Sequence, residues 1–377
     1  MTEMLVRPLD RVLQVEDFRG VPAWGAAACD VVVSGVATAV PGEPIAQEEF
    51  LARTLAAAPE FRSFRDLFSN TGIAHRHSAV PLDWITQEHG WVERSAIFET
   101  EALRLAVDVA RKLIRETDTA AADIDAVVVA CTTGLCVPSL DARLANRLGL
   151  RADIERLPLF GLGCAGGVTG LARAAALARS RPGRNVLFIT VELCSINLRV
   201  RDRRMANFVS AALFGDGAAG VLLRSLAPGE AAGGRPRLGA TGEHIWPESL
   251  DVMGWSIEND GFGVVISPEI PRFARDRLKP ALDHFLQRSG VDANHVDGIV
   301  LHPGGRKVLE AAETALDLPR ETFRHAWDVL ADFGNMSSPT VLFVLERTLR
   351  DRPAGRHLMA TFGPGFTVSF ALLEFGQ

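Results

Sequence analysis

Five stretches of this chain are almost continuously apolar: Val31 to Val36, Ala126 to Ala130, Val186 to Val191, Gly298 to Leu301 and Thr367 to Leu373. A strand with one wet face alternates apolar and polar residues, so unbroken runs of this length predict strands covered on both faces. Between them the period lengthens. Glu101 to Arg115 and Ala274 to Ser289 place apolar residues three and four apart, as helices with one buried stripe do. The two patterns together predict an α/β protein whose sheets are covered by helices.

The pattern also repeats. Ile124-Asp125-Ala126-Val127-Val128-Val129-Ala130-Cys131 resembles Val296-Asp297-Gly298-Ile299-Val300-Leu301-His302, about 170 residues later. Near the end of each half a glycine-rich turn feeds an apolar run. The first is Phe214-Gly215-Asp216-Gly217 leading to Val221-Leu222-Leu223, and the second is Phe362-Gly363-Pro364-Gly365 leading to Phe370-Ala371-Leu372-Leu373. Two copies of one unit are expected, at 1–228 and 229–377. The Gly-, Pro- and Ala-rich stretch Ser225 to Leu238 would join them.

Candidate chemistry falls at the ends of these elements. Cys164 lies in Gly161-Leu162-Gly163-Cys164-Ala165-Gly166-Gly167, after an apolar stretch and before a helical pattern. Unpaired amides and the dipole at a helix start favour a thiolate there, although a lone cysteine reads equally as a small buried hydrophobe. His302 ends an apolar strand in His302-Pro303-Gly304-Gly305, and Asn335 opens a helical run in Gly334-Asn335-Met336-Ser337-Ser338. Alone, each has a structural reading, a turn histidine and a helix N-cap. The spacing of Cys164 and Asn335 matches the repeat, so pseudo-symmetry would bring them to a shared centre. There the histidine can move protons, and histidine and asparagine together can donate to a developing oxyanion.

Composition narrows the context. With 377 residues, 47% hydrophobic, the chain can bury a large core. A net charge of −6 argues against a nucleic-acid surface. Five cysteines, Cys29, Cys131, Cys136, Cys164 and Cys194, show no metal-type spacing and are expected as reduced thiols in a cytoplasmic protein. No apolar run is long enough to span a bilayer, and acids near the N-terminus do not fit a signal peptide. Tyrosine is absent against 20 phenylalanines, a bias without a physical account.

Taken in order, the motifs around Cys164, Phe214, His302 and Asn335, with Phe362-Gly363-Pro364-Gly365, resemble those of the type III polyketide synthases, the chalcone-synthase-like branch of the thiolase fold. The likeness runs from about Asp30 to the C-terminus. It implies a duplicated, five-layered αβαβα fold, a homodimer, and an acyltransferase that extends an acyl-CoA starter with malonyl-CoA, with no cofactor or metal beyond the coenzyme A thioesters. Cys164 would carry the growing chain, with His302 and Asn335 beside its sulfur. Phe214 would be the gatekeeper between tunnel and cavity. A second gatekeeper position falls on Val264, with Phe262 close enough to confuse the alignment. Val137 would reach across the dimer interface, Cys194 and Asn197 would shape the cavity wall, and Gly254 would limit chain growth.

Thr133, Glu192 and Ser337 match positions where a bound water helps to release or cyclise product, although Glu192 could equally anchor a loop. Gly304, Gly305, Arg306 and Lys307 are candidates for coenzyme A, with Arg62 and Arg65 as weaker ones. Val191 to Leu198 and His302 to Lys307 look more like bacterial alkylresorcinol and alkylpyrone synthases than like plant chalcone synthases. A fatty acyl starter is therefore expected. A single-condensation ketoacyl synthase and a non-catalytic acyl-CoA-binding protein are the competing readings. A thiolase would want a second cysteine in the C-terminal half, and Cys194 is the last one.

Overall fold

The computed structural model describes residues 29–376. The acidic N-terminal residues that argue against a signal peptide lie outside this range. Nine strands, numbered in chain order, build the main sheet: β1 Val31–Ala39, β2 Ile124–Cys131, β3 Glu155–Phe160, β4 Asn185–Leu193, β5 Asp216–Ser225, β6 Arg237–Ile245, β7 Gly298–Leu301, β8 Gly355–Gly363 and β9 Thr367–Phe375. Their spatial order is β7-β8-β9-β6-β1-β5-β4-β2-β3. All five apolar runs are strands, and β4 is buried at every position. Each fully buried Val, Leu, Ile or Phe contributes about 1.5–3 kcal/mol.

The order exposes the repeat. In the N-terminal half β1 pairs antiparallel with β5, β5 antiparallel with β4, and β4 parallel with β2. In the C-terminal half β6 pairs antiparallel with β9, β9 antiparallel with β8, and β8 parallel with β7. The halves therefore share one topology, and β3 is an extra edge strand on the first. They meet where β1 touches β6 through the single pair Val32 and Arg237. The intervening 226–236 segment carries the chain from one half-sheet to the other.

Helices complete a thiolase-like α/β arrangement. Trp91–Glu116 covers the outside of the first half-sheet with Phe98, Ala102, Leu105, Ala106, Val109 and Leu113. Ile270–Arg288 covers the second with Ala274, Leu278, Ala281 and Phe285. Gly166–Arg179 and Thr340–Arg350 lie between the half-sheets and each touches strands of both. Their approach is close: a Cβ on Gly167 would stand 2.4 Å from the Ser338 carbonyl oxygen and 2.5 Å from Val341 Cγ1. Glycine is required there by space. Among the described residues no helix is long and apolar enough to cross a membrane.

Candidate active site

Parallel strands deliver their C-terminal ends to one region, as ligand sites in α/β sheets require. β2 ends before Thr132 and Thr133, β4 carries Glu192 near its end, and β7 ends before His302. Cys164 sits in a single turn, Gly163–Ala165, that runs straight into the helix Gly166–Arg179. The turn depends on Gly163, whose φ of +48° is left-handed and whose missing Cβ makes room for Pro364. Asn335 follows the helix Arg324–Phe333 and forms a backbone bridge with Phe214.

Cys164, His302 and Asn335 are all buried and line one cavity of about 830 Å³. Cys164 Sγ donates to Ser337 Oγ at 3.5 Å and lies 4.0 Å from Asn335 Oδ1, which also accepts from the Ser337 amide at 2.7 Å. Asn335 Nδ2 donates to the Gly304 carbonyl at 3.1 Å, tying the asparagine to the turn after His302. One of its two N–H groups remains for another acceptor. Neither ring nitrogen of His302 has a hydrogen-bond partner among the described residues.

Burial dominates the electrostatics. It pushes the Cys164 thiol up to about 11, although the hydrogen bonds to Ser337 and Asn335 pull the other way. It pushes the His302 imidazole down to about 3. The free site therefore holds a neutral thiol and a neutral imidazole, not the thiolate expected from the helix start alone. A buried, unpartnered imidazole that lines the same cavity as a buried thiol can accept a proton when a charge is made there.

Sequence comparison bears on what this arrangement belongs to. Residues 84–226 match the family model described as chalcone and stilbene synthases, N-terminal domain, and 237–375 match the corresponding C-terminal domain. A 1,3,6,8-tetrahydroxynaphthalene synthase of Streptomyces peucetius subsp. caesius is 38% identical over 91% of this chain and 92% of its own. This chain belongs to the type III polyketide synthases. An alpha-pyrone synthesis polyketide synthase-like protein, Pks18, of Mycobacterium tuberculosis is 28% identical over 91% of each chain. The crystal structure of the 1,3,6,8-tetrahydroxynaphthalene synthase of Streptomyces coelicolor A3(2) superposes with a TM-score of 0.85, at 28% identity over 92% of this chain and 99% of that one. Like its family, the synthase is an acyltransferase acting by decarboxylative condensation.

Several expected residues of this synthase meet at the cavity. Phe214, Gly304, Gly305, Arg306 and Lys307 join the three central groups in its lining. Arg306 and Lys307 are exposed at the start of the helix Arg306–Leu316, where Arg306 pairs with Glu310 at 2.7 Å. Gly305 has only 3.2 Å between a would-be Cβ and Leu213. Arg62 and Arg65 are not in the lining; both are exposed, and Arg65 lies 3.7 Å from Asp66.

Thr133, Glu192, Cys194, Asn197 and Ser337 are not among the residues that line the cavity. Glu192 is fully buried; its Oε2 accepts from the Thr132 and Thr133 amides at 2.9 Å each and from the Thr133 hydroxyl at 2.8 Å. Its Oε1 accepts from the Ser338 hydroxyl at 2.7 Å. The Thr133 hydroxyl also accepts from the Leu193 amide at 2.9 Å. Glu192 is thus the loop anchor, and Ser338 rather than Ser337 connects to it. Burial pushes this carboxyl up to about 7, against all four hydrogen bonds. Asn197 Nδ2 holds the Thr133 carbonyl at 2.8 Å, and Cys194 is buried close by. All five cysteines are free thiols.

Val264 and Gly254 do not line the cavity; Ile266 and Met253, paired across the hairpin Met253–Glu258 and Gly261–Ile266, do. Val264 is buried opposite Trp255 instead, and Phe262 is buried two residues before it. Ile266 lies two residues beyond Val264 on the same face of the strand, so the strand period was available in the sequence but its register was not. A Cβ on Gly254 would meet nothing within 4 Å. Val137 stands apart from the cavity and is 96% exposed.

Proposed function

We propose that this synthase loads a fatty acyl group from coenzyme A onto Cys164, extends it with malonyl-CoA and cyclises the product to an alkylresorcinol or alkylpyrone. The observation that carries the starter class is the lining. Phe64, Leu67, Met205, Val209, Leu213 and Met253 are apolar, and the charged lining residues are confined to Asp66, Arg306, Lys307 and Glu310. An apolar channel favours a hydrocarbon chain, at about 0.8 kcal/mol per buried methylene.

The chemistry follows from the three groups. Cys164 passes its proton to His302 and its sulfur attacks the starter carbonyl. A new C–S bond forms, the bond to coenzyme A breaks, and the departing thiolate takes the proton back. Malonyl-CoA then enters, with its thioester oxygen toward His302 and the free N–H of Asn335. Its carboxylate leaves as CO₂, and the electron pair passes into an enolate. The enolate carbon attacks the Cys164 thioester, a C–C bond forms, and the cysteine leaves as thiolate. Lys307 and Arg306, at the mouth, would take the phosphates of coenzyme A.

The relative's name supports a second reading, in which the product is a polyhydroxylated naphthalene with no alkyl chain. Mass spectrometry of products from malonyl-CoA with a ladder of acyl-CoA starters separates them. Alkyl-bearing resorcinols or pyrones are expected from long acyl chains. Products made from malonyl-CoA alone, unchanged by added starter, would overturn the fatty acyl reading.

A further inference from the structure

Arg76 is fully buried, and its guanidinium closes the C-terminus of the helix Met205–Leu213. Nη1 donates to the carbonyls of Ala211 at 2.6 Å and Phe214 at 2.9 Å. Nη2 donates to the Ala212 carbonyl at 2.6 Å and to Gln47 Oε1. The group lies over the Phe50 ring, 4.4 Å from its centroid. Gln47 Nε2 adds donors to the Ala212 carbonyl at 3.0 Å and to Thr71 Oγ1 at 3.1 Å, and Thr71 lines the cavity.

A helix end leaves carbonyls without amide partners and carries partial negative charge, so a planar five-donor cation suits it. Burying that cation is nonetheless costly, and a nine-residue helix can be capped more cheaply by water or a glycine. What lies just past the helix accounts for the location. The Asn335 amide donates to the Leu213 carbonyl at 2.9 Å, and the Gly215 amide donates to the Asn335 carbonyl at 3.0 Å. Arg76 grips the Phe214 carbonyl between those two bonds. Gly215 and Gly334 let the two backbones approach, since a Cβ on Gly215 would stand 2.6 Å from the Phe333 carbonyl oxygen and one on Gly334 3.0 Å from the Leu213 carbonyl oxygen.

We propose that Arg76 is a positioning residue for the condensation: it fixes the turn 213–215 against Asn335 and thereby aims the Asn335 side chain at Cys164 and the thioester. The inference rests on the role given to Asn335 above. Arg76→Lys keeps a charge but loses the fork that spans three carbonyls. In a folded Arg76→Lys enzyme, kcat for malonyl-CoA decarboxylation is expected to fall about tenfold, with KM for malonyl-CoA within about twofold. In an Asn335→Ala background the same change should cost less than about twofold, because the group being positioned is gone. If Arg76→Lys does not fold, Gln47→Leu is read in the same way, with a loss of about threefold in kcat expected. A parent-like kcat alongside a large loss in Asn335→Ala overturns the positioning role alone. An equal loss in both backgrounds overturns it too, by showing a general structural effect. An unaffected Asn335→Ala enzyme overturns both this inference and the role of Asn335.

Discussion

Burial acts in opposite directions on the two buried titratable groups that line the cavity, raising Cys164 to about 11 and lowering His302 to about 3. Each shift disfavours the charged form taken alone. Proton transfer between them makes both charges at once, each compensating the other, and this is the role in thiol activation that we propose for His302. Alkylation by iodoacetamide reports the thiolate fraction, which grows as pH rises through the thiol's pKa. His302→Ala should move the midpoint of that profile upward relative to the parent. Coincident profiles would remove His302 from thiol activation. The pair Ser337-Ser338 shows where residue-scale reading stops. Ser337 has a left-handed backbone, with φ of +60°, and the chain turns there so that its hydroxyl meets Cys164 while that of Ser338 meets Glu192. Two adjacent serines carry no sequence mark of which one turns.

The elements themselves were largely legible, because their signals are local. Unbroken apolar runs gave the strands, helical spacing gave Glu101 to Arg115 inside the longer helix Trp91–Glu116, and glycines marked the turn that presents Cys164. Register was not legible. The hairpin that walls the cavity offers Ile266, paired with Met253, where the motif alignment pointed to Val264. Packing between the two central helices makes the sharpest element-scale prediction. Gly167→Val would drive a branched side chain into the Ser338 carbonyl and Val341. Overpacking of this kind costs about 1–3 kcal/mol, and Ser338 also bonds Glu192, so urea stability and condensation rate should fall together. An unchanged urea midpoint would show that the helices can separate without cost.

At the scale of the whole molecule, the repeat read from two matching strand motifs is realised as two half-sheets of one topology, joined through β1 and β6. That duplication is why residues 171 apart, Cys164 and Asn335, meet across the central layer. Outside it, Val137 is 96% exposed, and Leu135 and Phe160 of the same half are about half exposed. Apolar exposure of this kind fits the homodimer that the family resemblance implies. Val137→Asp should shift sedimentation from dimer toward monomer, and a parent monomer would contradict that implication. The most direct test of the account is intact-protein mass spectrometry after brief incubation with a long-chain acyl-CoA, with peptide mapping. One acyl group on Cys164 is predicted, absent in Cys164→Ala and consumed when malonyl-CoA is added. An acyl group on another residue, or one that malonyl-CoA does not consume, would contradict it.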